Sequence, residues 1–140
     1  MDNDMKRAII LDNYNDARNR EIPSDKDEYI LINSNNQSCI DNIDIYVKLN
    51  DNKIEDIKFE GEACVIAISS TSILSSMLIG KTLDEARDII NNYNSMIEEE
   101  EYESDKLGEA IVYNDIYKQP SRKNCACLFV KGISKVLDRE

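Results

Sequence analysis

Residues 43–59 read IDIYVKLNDNKIEDIKF, and this stretch decides the predicted fold. From Ile43 to Leu49, apolar residues alternate with more polar ones, and a period of two is typical of a strand with one buried face. Residues 50–52 are Asn-Asp-Asn, which is turn chemistry, and the alternation resumes at Ile57 and Phe59. The stretch therefore predicts an antiparallel hairpin.

The sequence on either side of the hairpin predicts one further strand and a set of helices. An apolar run at residues 29–33 predicts the strand. Helical spacing and helix-end signals, including a capping box at Thr82–Glu85 and a glycine stop at Gly80, predict helices at 4–17, 65–79, 82–97, 107–117 and 128–137. The four glutamates Glu98–Glu101 are expected to face solvent. The expected fold class is α+β, with a short antiparallel three-stranded sheet packed against a layer of helices.

The composition limits the possible partners. The chain has 140 residues and a formal charge of −11, and such an excess of acid argues against nucleic acid as a partner because phosphates need clustered Lys and Arg. An acidic surface suits docking to a basic patch on another protein. We expect no membrane segment, since no apolar run reaches about 18 residues. The N-terminus, residues 1–7, lacks the features of a signal peptide, so we expect a cytoplasmic protein whose cysteines are reduced.

The sequence contains no histidine but has four cysteines. The absence of histidine excludes nucleophiles activated by a histidine of this chain and zinc sites of the HExxH type. Cysteine is therefore the best candidate for chemistry.

Three of the cysteines and one aspartate are placed where a metal could be held. Cys39 and Asp41 are two residues apart, so in an extended backbone both side chains point to the same side. Cys64 and Cys125 each precede a predicted helix, where unpaired N–H groups and the helix dipole favour a thiolate. Three thiolates and a carboxylate satisfy tetrahedral Zn²⁺, and the same set could hold an iron–sulfur cluster.

Other interpretations of these cysteines stay open from spacing alone. Cys125 also falls on the apolar stripe of the last predicted helix and could be an ordinary buried cysteine. Cys127 is two positions further on, which on a helix is about 200° of rotation, so we expect it to take no part in a site with Cys125.

At this point the sequence resembles the IscU/SufU iron–sulfur cluster assembly family, nearly from end to end. The resemblance rests on five motifs in the same order. They are Asp12-Asn13-Tyr14 with Arg18-Asn19 (DHYxxPRN in the family), residues 36–41 (NPxCGD), residues 59–72 (FxGxGCxISxASAS), Gly80-Lys81 (GK) and residues 122–128 (RxKCxxL). The long interval between Cys64 and Cys125 is similar to the SufU branch, as is the absence of the LPPVK chaperone motif of the IscU branch.

The resemblance implies a site and partners. Cys39, Asp41, Cys64 and Cys125 match the family's metal ligands, and Cys39 matches the acceptor of persulfide sulfur from a PLP-dependent cysteine desulfurase. Arg122 matches an arginine that lies close to the site. Residues 1–140 would form one iron–sulfur assembly domain, and downstream assembly or acceptor proteins would be further partners.

Three functions follow as hypotheses from the resemblance. The first is a zinc-bound sulfur acceptor, a sulfurtransferase-type carrier rather than a classical turnover enzyme. The second is a scaffold that assembles and transfers a [2Fe–2S] cluster on the same four residues, and the third is a structural zinc adaptor. Two family glycines are replaced, by Ile40 and Ala63, and the β-branched Ile40 is expected to stiffen the loop that carries Cys39.

Overall fold

A computed structural model of the chain describes residues 1–36 and 40–139. Its sheet has the strand order β1-β2-β3, with β1 at Ile30–Asn35, β2 at Asn42–Asn50 and β3 at Lys53–Glu62. Both pairs are antiparallel, and Ile45 of β2 lies opposite Ile32 of β1 and Phe59 of β3. The hairpin turns at Asp51, which has a positive φ of 56°. The predicted hairpin, third strand and α+β class are confirmed.

The buried face of this sheet packs against the helices. The helices are α1 (Asn3–Asn15), α2 (Val65–Leu78), α3 (Leu83–Ile97), α4 (Pro120–Ala126) and α5 (Leu128–Leu137). Short 3-10 turns occupy Lys26–Glu28, Ser104–Lys106, Gly108–Tyr113 and Ile116–Lys118. No helix within the described ranges is long and apolar enough to cross a membrane.

Helix α2 is the central helix, and its serines are buried rather than exposed. Its side-chain hydroxyls turn back to backbone carbonyls, as Ser70 and Thr71 do to Ala67, or reach across to α1, as Ser72 does to Asn13. The predicted ends of α2 and α3 are confirmed: Gly80 has a φ of 86°, and Thr82 and Glu85 form a complete capping box. Glu98–Glu101 are exposed, as expected.

Residues 107–117 were expected to form an α-helix, and the structure shows 3-10 turns instead. Four of the five buried residues of this segment recur at every third position, at Leu107, Ala110, Tyr113 and Ile116, and the fifth is Val112. Side chains three apart align on a 3-10 helix, which has three residues per turn. The segment therefore places one apolar row against the core.

The C-terminal region contains two helices that meet at Cys127. The predicted amphipathic helix is confirmed as α5, but Cys125 lies in the last turn of the separate helix α4, not at a helix N-terminus as expected. Helix α5 packs closely on the sheet at Gly132. A Cβ at this position would lie 2.6 Å from Cδ1 of Ile45, so the packing leaves no room for a side chain there. The hydroxyl of Tyr93 binds the carbonyl of Ala126 and so caps the end of α4.

Candidate metal centre

The ends of three elements bring Asp41, Cys64 and Cys125 together. Asp41 immediately precedes β2, Cys64 is the N-cap of α2, and Cys125 is near the end of α4. One carboxylate oxygen and the two Sγ atoms all lie within 4.8 Å of one another. Among the residues that the structure describes, these three form the one group of cysteine and acidic side chains that is spaced to hold a metal ion.

The Asp41 carboxylate is buried, with 1% of the residue exposed. Its Oδ1 accepts a hydrogen bond of 2.8 Å from the backbone N–H of Cys64, and its Oδ2 lies 3.8 Å from Cys64 Sγ. The side-chain amide of Asn36 donates to the same Oδ2 at 3.3 Å. A buried carboxylate requires such partners, and these fix its orientation toward Cys64.

Cys64 occupies the helix end that the sequence predicts. Its extended backbone (φ −69°, ψ 171°) turns into α2, and its carbonyl accepts the N–H of Ile68 at 3.0 Å. The side chain is only partly buried and faces the cavity described below.

Cys125 approaches the same point from the side of the core. Its Sγ lies 3.9 Å from the carbonyl of Ser121, one turn back in α4. Burial, followed by the neighbouring Cys64 and Asp41, raises the pKa of the Cys125 thiol well above its usual range. Metal binding to this thiol would therefore release a proton.

The three side chains open into a cavity of about 320 Å³. Its other lining residues are Ile40, Ser121, Arg122 and Asn124. Arg122 therefore lies beside the group formed by Asp41, Cys64 and Cys125. A second cavity of about 560 Å³ adjoins the first and shares Ile40, Cys64 and Arg122 with it.

Cys39, the fourth predicted ligand, lies outside the described residues. Its neighbour Ile40 is 75% exposed at the rim of both cavities. Cys127 is absent from the group formed by Asp41, Cys64 and Cys125, as expected. Burial, with a smaller effect of Glu98, raises the pKa of Cys127 to about 11.

The donor set fits zinc. Bonds of about 2.3 Å to sulfur and 2.1 Å to oxygen at a tetrahedral angle place the two donor atoms about 3.6 Å apart, and Cys64 Sγ and Asp41 Oδ2 are 3.8 Å apart. Two thiolates and a carboxylate leave room for a fourth ligand. Soft thiolates also suit iron–sulfur clusters, so the donors alone do not select between the two.

Sequence reasoning did not identify Asn36 as part of this site. It begins the motif that contains Cys39 and Asp41, but its contacts with Asp41 and with the carbonyl of Asn124 depend on the fold. Its only signal in the sequence was its place at the start of residues 36–41, which match the family motif NPxCGD.

Known proteins resemble this chain over nearly its whole length. The sequence profile of the NifU-like N terminal domain matches residues 5–126. The zinc-dependent sulfurtransferase SufU of Bacillus subtilis is 33% identical over 96% of this chain and 90% of its own length. The iron–sulfur cluster assembly scaffold protein IscU of Thermotoga maritima is 31% identical over 81% of this chain and 80% of its own.

Solved structures show the same fold. A putative scaffold protein for the SUF system from Fervidobacterium islandicum AW-1 superposes with a TM-score of 0.81 and 29% identity, covering 92% of this chain and 93% of that one. A protein described as hypothetical superposes with a TM-score of 0.88 and 27% identity, covering 97% and 98%. The resemblance to the IscU/SufU proteins is thereby confirmed, and the chain belongs to the family of the NifU-like N-terminal domain.

Proposed function

We propose that this chain is a zinc-bound sulfur acceptor in iron–sulfur cluster assembly. In this proposal Asp41, Cys64 and Cys125 hold the zinc together with Cys39, and Cys39 takes sulfur from the persulfide of a PLP-dependent cysteine desulfurase. The observation that carries the proposal is the convergence of three metal-binding donor atoms within 4.8 Å at the mouth of an open cavity.

The comparisons support this function over a structural zinc site. A relative that matches almost the whole chain is named as a zinc-dependent sulfurtransferase, and further relatives are named as iron–sulfur assembly scaffolds. A structural zinc site typically contributes folding energy directly. Here the donors lie at the edge of the apolar core and face a cavity, where a partner molecule could reach them.

The proposed transfer needs no oxidant or reductant. The Cys39 thiolate attacks the terminal sulfur of the desulfurase persulfide, a new S–S bond forms on Cys39, and the desulfurase cysteine leaves as a thiolate. Bound zinc would supply a positive charge that keeps its thiol ligands deprotonated. The guanidinium of Arg122, which lines the cavity, would add a second positive charge beside the transferred sulfur.

The partners and location follow as parts of the same proposal. Residues 1–140 would act as one domain in the cytoplasm, with the desulfurase as sulfur donor and downstream assembly or acceptor proteins as recipients. The net charge of −11 favours partners with a basic docking surface.

The test is incubation with a cysteine desulfurase and cysteine, followed by alkylation and mass spectrometry. The expected result is a persulfide on Cys39 in the unsubstituted chain and in Cys127→Ser, and none in Cys39→Ser. Cys127→Ser is the matched control because it removes a thiol close in sequence to the site but outside the ligand group. A persulfide that appears equally in Cys39→Ser would contradict the acceptor role.

Metal analysis of the freshly purified protein gives a second test. We expect about one zinc per chain and loss of zinc in the double variant Cys64→Ser/Cys125→Ser. An iron–sulfur cluster that this chain retains and passes intact to an apo-acceptor would show that the scaffold function applies instead.

A further inference from the structure

The side chain of Asn36 joins two of the segments that carry metal donors. Its Nδ2 donates to Oδ2 of Asp41 at 3.3 Å and to the backbone carbonyl of Asn124 at 3.2 Å. Asn124 directly precedes Cys125 in α4. Asn36 and Asn124 are 88 residues apart in sequence, so one amide group connects the segment of Asp41 to the distant segment of Cys125.

The hydrogen bond from Asn36 is a second one that holds the Asp41 carboxylate in place. Oδ1 is bound by the Cys64 N–H, and Oδ2 is bound by Asn36. Each carboxylate oxygen has two lone pairs, so Oδ2 can accept from Asn36 and still bind a metal. Two donors on opposite oxygens restrict the rotation of the carboxylate and keep Oδ2 near Cys64 Sγ.

We propose that Asn36 is a positioning residue that preassembles the metal centre through Asp41. The inference rests on the proposed metal-binding function of Asp41, Cys64 and Cys125. Outer partners that hold a ligating carboxylate typically contribute about 10- to 100-fold to metal affinity. Asn36 is half-buried and is not among the residues that line the cavity, so it acts on the ligand and not on sulfur itself.

A role limited to holding the end of β1 against the start of β2 can be separated from this one. The backbone N–H of Asn36 donates to the backbone carbonyl of Asp41 at 3.0 Å, which joins the two segments next to these strands. The variant Asn36→Ala keeps this backbone bond and removes only the amide. Its effect therefore reports the side-chain contacts.

The experiment measures zinc affinity by competition with a chromogenic chelator. Asn36→Ala is expected to weaken zinc binding about 10- to 100-fold. The matched control is Asn33→Ala, whose side chain makes comparable hydrogen bonds to Asn42 and Asp44 on the solvent side of the sheet. We expect a change below about threefold for the control. Equal effects of the two variants would overturn the proposal.

A double-mutant cycle tests whether Asn36 acts through Asp41. In an Asp41→Ala background, or Asp41→Asn if the alanine variant does not fold by circular dichroism, adding Asn36→Ala is expected to cost less than about threefold. The same cost in both backgrounds would show that Asn36 does not act through Asp41. A chain that binds zinc with this Asn36 dependence but never carries a persulfide on Cys39 would refute only the sulfur-acceptor function. Transfer to Cys39 with unchanged zinc affinity in Asn36→Ala would refute only the positioning role.

Discussion

The hydroxyl of Tyr93 donates a hydrogen bond of 2.8 Å to the backbone carbonyl of Ala126, the residue after Cys125. Both groups are fully buried. The last carbonyls of a helix have no partner within the helix, so α3 supplies one to α4 through this hydroxyl. The contact fixes the end of the helix that carries Cys125.

Replacing Tyr93 by Phe should destabilise the metal-free protein by about 1–3 kcal/mol, because a buried carbonyl loses its donor. Urea unfolding at pH 7 measures the change. The control is Tyr29→Phe, which removes a hydrogen bond of 2.6 Å to Asp56 nearer the surface and should cost less than about 1 kcal/mol. A Tyr93→Phe variant as stable as the unsubstituted chain would contradict this account of α4.

The same substitution should have a smaller cost at alkaline pH. Burial, with smaller effects of Tyr113 and Cys127, raises the pKa of Tyr93 well above its usual value. Above pH 10 the unfolded chain loses a phenolic proton that the folded chain keeps, so stability is lost as the pH rises. A phenylalanine side chain has no such proton. We therefore expect the cost of Tyr93→Phe to be lower at pH 11 than at pH 7. Equal costs at the two pH values would contradict the assigned shift.

Gly61 is expected to be far less tolerant of alanine than Gly80. Both have a positive φ, 146° and 86°, and an alanine in left-handed conformation costs about 1–2 kcal/mol. At Gly61 the new Cβ would also lie 2.3 Å from the carbonyl oxygen of Asn42, whereas at Gly80 it would meet nothing within 4 Å.

We expect Gly80→Ala to cost about 1–2 kcal/mol and Gly61→Ala about 2–5 kcal/mol, the excess being overpacking against rigid backbone. Thermal unfolding of the metal-free variants measures both. Since Asn42 follows Asp41, Gly61→Ala should also weaken zinc binding, and Gly80→Ala should not. Equal costs for the two variants would mean that the backbone at Asn42 moves to accept the new methyl group, which would contradict the predicted overpacking at Gly61.

Asp41→Asn should separate folding from metal binding. The amide keeps the volume of the side chain and an oxygen that can accept from the Cys64 N–H, and a neutral amide costs less to bury than a carboxylate. The amide can accept at only one of the two oxygen positions, so the hydrogen bond from Asn36 is lost while the cost of burying a charge falls, and we expect little net change in the stability of the metal-free protein. Loss of a residue that hydrogen-bonds to a metal ligand typically lowers metal affinity about 10- to 100-fold. Asp41 is itself a proposed ligand, so zinc affinity should fall at least as much. Chelator competition measures it, with Asp44→Asn as the control on the other face of β2.

Much of this fold follows from local sequence. The alternation from Ile43 to Leu49 determines which residues of β2 face the core, and the capping box at Thr82 and Glu85 determines where α3 begins. Both signals depend on neighbours within a few residues, so they can be read without the tertiary structure. Cys64 could be placed for the same reason, since a helix N-terminus is a local feature.

The features that sequence reasoning missed depend on distant contacts. The break between α4 and α5 at Cys127 has no local signal, and beside it Tyr93 of α3 donates to the carbonyl of Ala126. The role of Asn36 depends on Asn124, on the other side of the site. The period of three from Leu107 to Ile116 was visible, but helical propensity alone does not distinguish an α-helix from 3-10 turns.

The position of Asp41, Cys64 and Cys125 at the edge of a packed core has a consequence for turnover. The apolar core of sheet and helices is complete behind them, and of the three only Cys125 is part of it. In the proposed function, metal would then be loaded, lost and loaded again while the chain stays folded, so refilling the site would not wait for refolding. A carrier that works through repeated rounds with changing partners would need its metal site to be separate from the core that keeps it folded.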